Sequence, residues 1–170
     1  MRNISFLSVI LVTLFFAAAS ADAQVVNPAK LKFSGIGLDS TYGSVLKILG
    51  KPEKDGAPEK EECIGGREKT VEYAGLSLYF MDGDSKGGKT FEIKSFEVTD
   101  PKYVVSGIKV GDPEATVKLK FGRKYTVDND PATGEKTWLY AMSERDGPGS
   151  TTVVFKKGKV IKIASGYQVC

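Results

Sequence analysis

Gly35-Ile-Gly-Leu-Asp-Ser-Thr-Tyr-Gly-Ser-Val-Leu-Lys-Ile-Leu-Gly50 is written a second time, 107 − 35 = 72 residues later, as Gly107-Ile-Lys-Val-Gly-Asp-Pro-Glu-Ala-Thr-Val-Lys-Leu-Lys-Phe-Gly122. That period is too long for a solenoid repeat and suits a small unit of one short helix and three or four strands. Each copy opens with a glycine and an aliphatic pair, Ile36 with Leu38 and Ile108 with Val110, before a helix cap. In the second copy the cap falls on Asp112, with Pro113 at the first helical position and Glu114 in the first turn, where a carboxylate meets the positive end of the helix dipole. Ser40 holds the equivalent place in the first copy. Apolar stripes follow, Val45, Leu46, Ile48 and Leu49 in one and Val117, Leu119 and Phe121 in the other, and each helix stops at a glycine suited to a left-handed C-cap. Helices of about nine or ten residues are unstable alone, so both are expected to pack on a sheet.

Outward from these segments the sequence turns strand-like. Residues 51–69 hold two prolines, three glycines and the charge run Glu59-Lys60-Glu61-Glu62, and read as a loop. Strands are expected over Thr70–Tyr73, Leu76–Met81 and Phe91–Val98, then over Thr137–Met142, Thr151–Lys156 and Val160–Ser165, with a further short one at Tyr167–Val169. Alternation puts Leu76, Leu78, Phe80, Val153, Phe155, Ile161 and Ile163 on the core face, and Ser77, Tyr79, Met81, Thr152, Val154 and Lys156 on the other. The expected fold class is therefore α+β: two tandem helix-plus-antiparallel-sheet repeats, residues 35–106 and 107–170, helices packed on one sheet face, within one compact domain preceded by a lead-in at 24–34.

Residues 1–23 have the form of a secretory signal peptide: Arg2, an apolar run from Phe6 to Ala19, and Ala21-Asp22-Ala23 before Gln24. A membrane anchor needs roughly 20 apolar residues and this run is shorter. Cleavage after Ala23 leaves 170 − 23 = 147 residues, enough for one ordinary domain, expected to be exported, periplasmic or secreted, and soluble. Cys63 and Cys170 are the two cysteines of the chain, and an oxidising compartment permits them to pair; free thiols and an intermolecular bridge are the alternatives.

A net charge of +3 with scattered lysines argues against nucleic-acid binding, and the basic helix around Lys118, Lys120, Arg123 and Lys124 reads as a solvated face. Gly83-Asp-Ser-Lys-Gly-Gly-Lys-Thr90 matches the phosphate-loop pattern, but that mechanism needs a helix beginning at Lys89-Thr90, and Phe91-Glu-Ile-Lys94 is a strand pattern. Asp82 and Asp84 resemble the start of a calcium loop, yet Lys86 and Ile93 stand where oxygen ligands belong, and Asp128-Asn-Asp130 fails the same test. Histidine is absent from the chain, which removes the commonest general base and most zinc sites; no cofactor and no metal are expected. A carboxylate pair such as Glu72 and Glu92 on neighbouring strands leaves a hydrolase as the enzymatic alternative.

Aromatic residues supply the other signal. Trp138 and Tyr140 share one strand face, Tyr73 and Tyr79 lie on strands of the other copy, and Tyr167 sits near the end of its sheet. On a solvent-facing sheet such residues are interface anchors; inward, Trp138 is core, and parity alone leaves both readings open.

Ile108-Lys-Val-Gly-Asp-Pro-Glu-Ala-Thr-Val117 with Phe121-Gly122, and Thr137-Trp-Leu-Tyr140, resemble the helix and first strand of the small envelope-lipoprotein domain (SmpA/OmlA type) of the outer-membrane assembly machine. The doubling in an exported chain is similar to the β-lactamase-inhibitor protein fold. The resemblance spans about Ile36 to Val169 and implies a helix layer on an antiparallel sheet whose open face grips a protein. The chain lacks the lipid-bearing cysteine of the lipoproteins and the local bridges of the inhibitor, so β-lactamase inhibition is not implied. The expected function is a non-enzymatic module binding an exported or envelope protein through the sheet face, with Tyr73, Tyr79, Trp138, Tyr140 and Tyr167 as contacts and Asp84 and Arg145 in the specificity loops. The alternative is a small-ligand binder or carboxylate-based hydrolase.

Overall fold

The computed structural model describes residue 27 and residues 30–63, 65–82, 90–141 and 148–168. The leader segment, Asp84, Arg145 and Cys170 lie outside these, as does nearly all of the Gly83–Thr90 pattern. Element order is β1 (Lys32–Phe33), β2 (Ile36–Gly37), α1 (Tyr42–Leu49), β3 (Lys54–Asp55), β4 (Glu59–Lys60), β5 (Arg67–Tyr73), β6 (Leu76–Asp82), β7 (Phe91–Val98), α2 (Glu114–Phe121), β8 (Thr126–Asp130), β9 (Glu135–Ala141), β10 (Gly149–Lys156) and β11 (Lys159–Tyr167).

The expected pair of tandem helix-plus-sheet repeats is not what forms. The molecule is mostly β, with two eight-residue helices among the described residues, and apart from the β1–β2 hairpin its strands join in one antiparallel sheet of order β3-β5-β6-β7-β11-β10-β9-β8, with β4 also on β5. The fusion occurs where β7 pairs with β11, Val98 opposite Ile163 and Ser95 opposite Gly166. Strands from both halves of the sequence thus share one ladder, because an unpaired row of backbone groups at that edge is satisfied best by another strand.

The repeated segments are alike locally. Asp39 N–H donates to the Ile93 carbonyl and Ile93 N–H to the Ser40 carbonyl; Gly111 N–H donates to the Val160 carbonyl and Val160 N–H to the Asp112 carbonyl. Each loop thereby covers the part of β7 or β11 that the other strand does not reach. A register shift accompanies each docking: Lys94 is the extra residue in β7 and Ile161 in β11. A bulge reverses the alternation beyond it. Hence Ile93, Phe96 and Val98 are buried together, Val160 and Ile163 are buried, and Ile161, expected in the core, lies off that face.

Helix starts fall one residue later than the sequence suggested. Thr41 is the N-cap of α1, its side chain accepting from Ser44 N–H at 3.2 Å, while Ser40 Oγ accepts from Gly37 N–H. Pro113 occupies the N-cap of α2 without a side-chain bond, and Asp112 instead accepts from Lys109 N–H at 2.9 Å. Both helices end at a glycine with φ near +80°, which an L side chain adopts only with strain. Only Val45 of α1 and Val117 and Phe121 of α2 are fully buried; Ile48 points outward and Leu119 is 82% exposed, because it lies about 200° around the helix from Val117. The core lies between the helices, the β1–β2 hairpin and one face of the sheet, where Tyr42 meets Phe80 edge-on and Phe121 meets Tyr140 likewise.

The expected loop at 51–69 contains β3, β4 and the start of β5. Cys63 follows β4 and is not a free thiol. The expected Val160–Ser165 and Tyr167–Val169 strands are one strand as far as Tyr167. No helix among the described residues is long and apolar enough to cross a membrane.

Candidate functional site

Trp138 and Tyr140 pair across β9–β10 with Val153 and Thr151, which are buried beneath the helices. Both aromatics are therefore core, each 2% exposed, and not the interface anchors that the sequence allowed. Trp138 is stacked on Tyr125 at 4.2 Å and packed against Phe155 at 4.4 Å. Tyr73 is buried on the same face, and its hydroxyl donates to the Gly50 carbonyl at 3.0 Å, as the Tyr140 hydroxyl donates to the Gly122 carbonyl at 3.4 Å. These two tyrosines fasten the last turns of the two helices to the sheet; burial raises both phenol pKa values above the ordinary one. Tyr167 packs partly against the core, its hydroxyl donating to Asp39 at 3.2 Å. Of the five aromatics, Tyr79 alone stands on the opposite face.

That opposite face is built from two cross-strand rows. One runs Thr70, Tyr79, Ser95, Gly166, Ser150, Ala141; the other runs Glu72, Ser77, Glu97, Ala164, Thr152, Leu139, Thr126. Small residues dominate the middle, so the twisted sheet is left with a trough of about 730 Å³ lined by Ser77, Ser95, Ser150, Thr152, Ala164 and Gly166 among others. Gly166 marks the seam: a Cβ there would lie 2.4 Å from the Ser95 Cβ, so no other residue fits. Tyr79 forms one wall, its hydroxyl donating to Glu68, and desolvation with help from that carboxylate raises its pKa strongly. Leu139, 39% exposed, forms part of the other. Glu97 pairs with Lys162 at 3.3 Å beside the floor.

The sequence had put Ser77, Tyr79 and Thr152 on this face, but it missed Ser95, Ala164 and Gly166, whose parity depends on the two bulges. Met81 and Val154, also expected there, keep that parity and lie outside the main core cluster, but are buried. Glu72 and Glu92 are not brought together: Glu72 faces Ser77 and pairs with Lys54, whereas Glu92 faces Met81 and pairs with Lys94. Four residues separate Ser77 from Met81, an offset of roughly 13 Å. Hydroxyls line the trough without an imidazole to activate them, and no cluster of three metal-ligating groups occurs among the described residues.

Below the other face, Lys69 is buried, salt-bridged to Asp55 at 2.5 Å with its ammonium 4.1 Å from the Tyr42 ring centroid. The Tyr42 hydroxyl donates to the second Asp55 oxygen at 2.5 Å, and that bond first, then burial, pushes its pKa up to about 12. Arg67 grips the buried Asp82 through its backbone N–H, its Nε at 2.8 Å and an ion pair at 2.6 Å. Asp82 is thereby a structural anchor of β5 on β6.

No family model matches the chain, and no curated protein does. Two solved structures are similar. An extracellular protein containing an SCP domain, from Bacillus anthracis str. Ames, is 8% identical over 77% of this chain, with a TM-score of 0.43. This chain covers 44% of that protein. A DUF4309 family protein (YjgB) from Bacillus subtilis subsp. subtilis str. 168 is 16% identical, with 76% of this chain and 79% of that one covered and a TM-score of 0.40.

Proposed function

We propose that the chain is an exported, non-enzymatic module that binds a protein of the envelope or the exterior through the open face of its sheet. The observation that supports it is the trough across β6, β7, β11, β10 and β9, whose floor of small hydroxyl and glycine residues admits a protruding segment of another protein. Tyr79 and Leu139 supply the larger contact surfaces at its sides, in place of Trp138 and Tyr140. Export rests on the form of residues 1–23.

The trough volume also falls within the 300–1,000 Å³ typical of small-molecule sites, which supports a small-ligand binder as the second reading. The chain from Gln24, used as bait beside Ala164→Trp and Ser150→Trp, separates the two. Expected is a stoichiometric protein partner lost in both trough-filling variants while their thermal unfolding matches the parent. Capture that survives both substitutions overturns the face reading, and folded bait with no partner transfers the trough to a small ligand.

A further inference from the structure

We propose that β8 is a second docking site, taking an extended segment of a partner with basic residues at alternate positions as an added strand. β8 closes the sheet: it pairs with β9 in regular register from Thr126–Leu139 to Asp130–Glu135, and its outer edge meets no further strand among the described residues. Every residue of β8 is exposed. Edge strands are normally protected by shortness, charged side chains, proline or a bulge; five-residue β8 has no lysine, proline or bulge, and its protecting charges, Asp128 and Asp130, are acidic and so attract a basic partner. The opposite edge differs, being covered by the short strands β3 and β4 on β5. Apolar surface remains beside the free edge on both sides of the sheet, Val127 at 51% exposure on the Trp138 side and Leu139 on the trough side.

Charge selects the occupant. Thr126, Asp128 and Asp130 share one face, and Glu135 stands opposite Asp130, with Lys156 as the basic partner of Glu135 at 3.5 Å. Asp130 is held in the turn by Ala132 N–H and the Thr133 hydroxyl, whereas the Asp128 carboxylate has no such partner among the described residues. An antiparallel strand laid along this edge places alternate side chains opposite Asp128 and Asp130, where lysine or arginine is attracted, and the intervening ones against Val127. A second copy of β8 is disfavoured, because symmetric pairing over its full length is centred on Asp128 and sets that carboxylate against its own copy, where like charges repel. The occupant is thus an extended basic-apolar-basic segment, bound by strand addition.

This inference rests on the protein-binding reading for its class of partner but is carried by β8, sharing Leu139 with the trough. The test is amide chemical-shift mapping and hydrogen exchange on the chain from Gln24 with a capped Lys-Val-Lys-Val-Lys peptide and its Glu-Val-Glu-Val-Glu counterpart. Expected are shifts and slowed exchange confined to Thr126–Asp130 with the lysine peptide alone. Asp128→Lys, a surface change that leaves the fold intact, is expected to weaken the lysine peptide and strengthen the glutamate peptide by about fivefold each. Ala164→Trp, which fills the trough, is expected to leave the edge response unchanged, so failure of the face reading and of this one are separable. No binding of either peptide to folded protein, shifts centred on the trough, or a preference indifferent to Asp128→Lys overturns the proposal.

Discussion

Trp138 contacts Tyr125, Phe155 and the Lys118 ammonium, 5.1 Å from its ring, and so works as a core residue of the β8–β10 end. Trp138→Ala is expected to cost about 3–5 kcal/mol of stability through the cavity it leaves, read as a fall in the urea midpoint. Any loss of partner capture in that variant would follow from unfolding, which is why the trough variants are the informative ones. Tyr42, Asp55 and Lys69 set a pH dependence. The Tyr42 phenol is held above its ordinary value of 10.0, so this contact stabilises below pH 10 and is lost as pH rises through about 12. Asp55 is held below its ordinary 3.8, first by Lys69 and then by Tyr42, so its contribution is present above that value and is lost as pH falls below it. The melting temperature should therefore decline at both ends of the range. The gap between parent and Tyr42→Phe is expected to shrink between pH 10 and 12, as followed by thermal unfolding in a pH series.

The helices differ in what holds their first turns. Thr41→Ala removes a side-chain cap and is expected to cost about 1 kcal/mol, whereas Pro113→Ala removes no such bond and is expected to change the denaturation midpoint far less. The strands most visible in the sequence were those with uninterrupted alternation: Leu76, Leu78 and Phe80 in β6, and Val153 and Phe155 in β10, are all core. β8 was not visible, because Thr-Val-Asp-Asn-Asp has one apolar residue and no buried position. The caps were misplaced by one residue because Ser40 and Asp112 spend their side chains on the turns before the helices.

At the scale of the whole molecule, the β7–β11 ladder ties the halves together. Fragments 24–106 and 107–170, expressed separately, are expected to lack stable structure by circular dichroism, since each would expose a seam edge and half of a shared core. The joined chain is expected to unfold in one calorimetric transition. Two independently folded fragments would show that the seam is a contact between domains.

The sequence by itself determined the paired glycine-bounded helices, most of the strands and the buried parity within each unbroken strand, because these follow from local alternation and turn chemistry. It did not determine which edges meet. One sheet in place of two units was decided by the β7–β11 pairing, the residues flooring the trough by the bulges at Lys94 and Ile161, and the inward turn of Trp138 and Tyr140 by the β9–β10 register. A single inserted residue reverses every side chain beyond it, and the backbone groups that make the insertion favourable belong to loops more than 45 residues away in sequence.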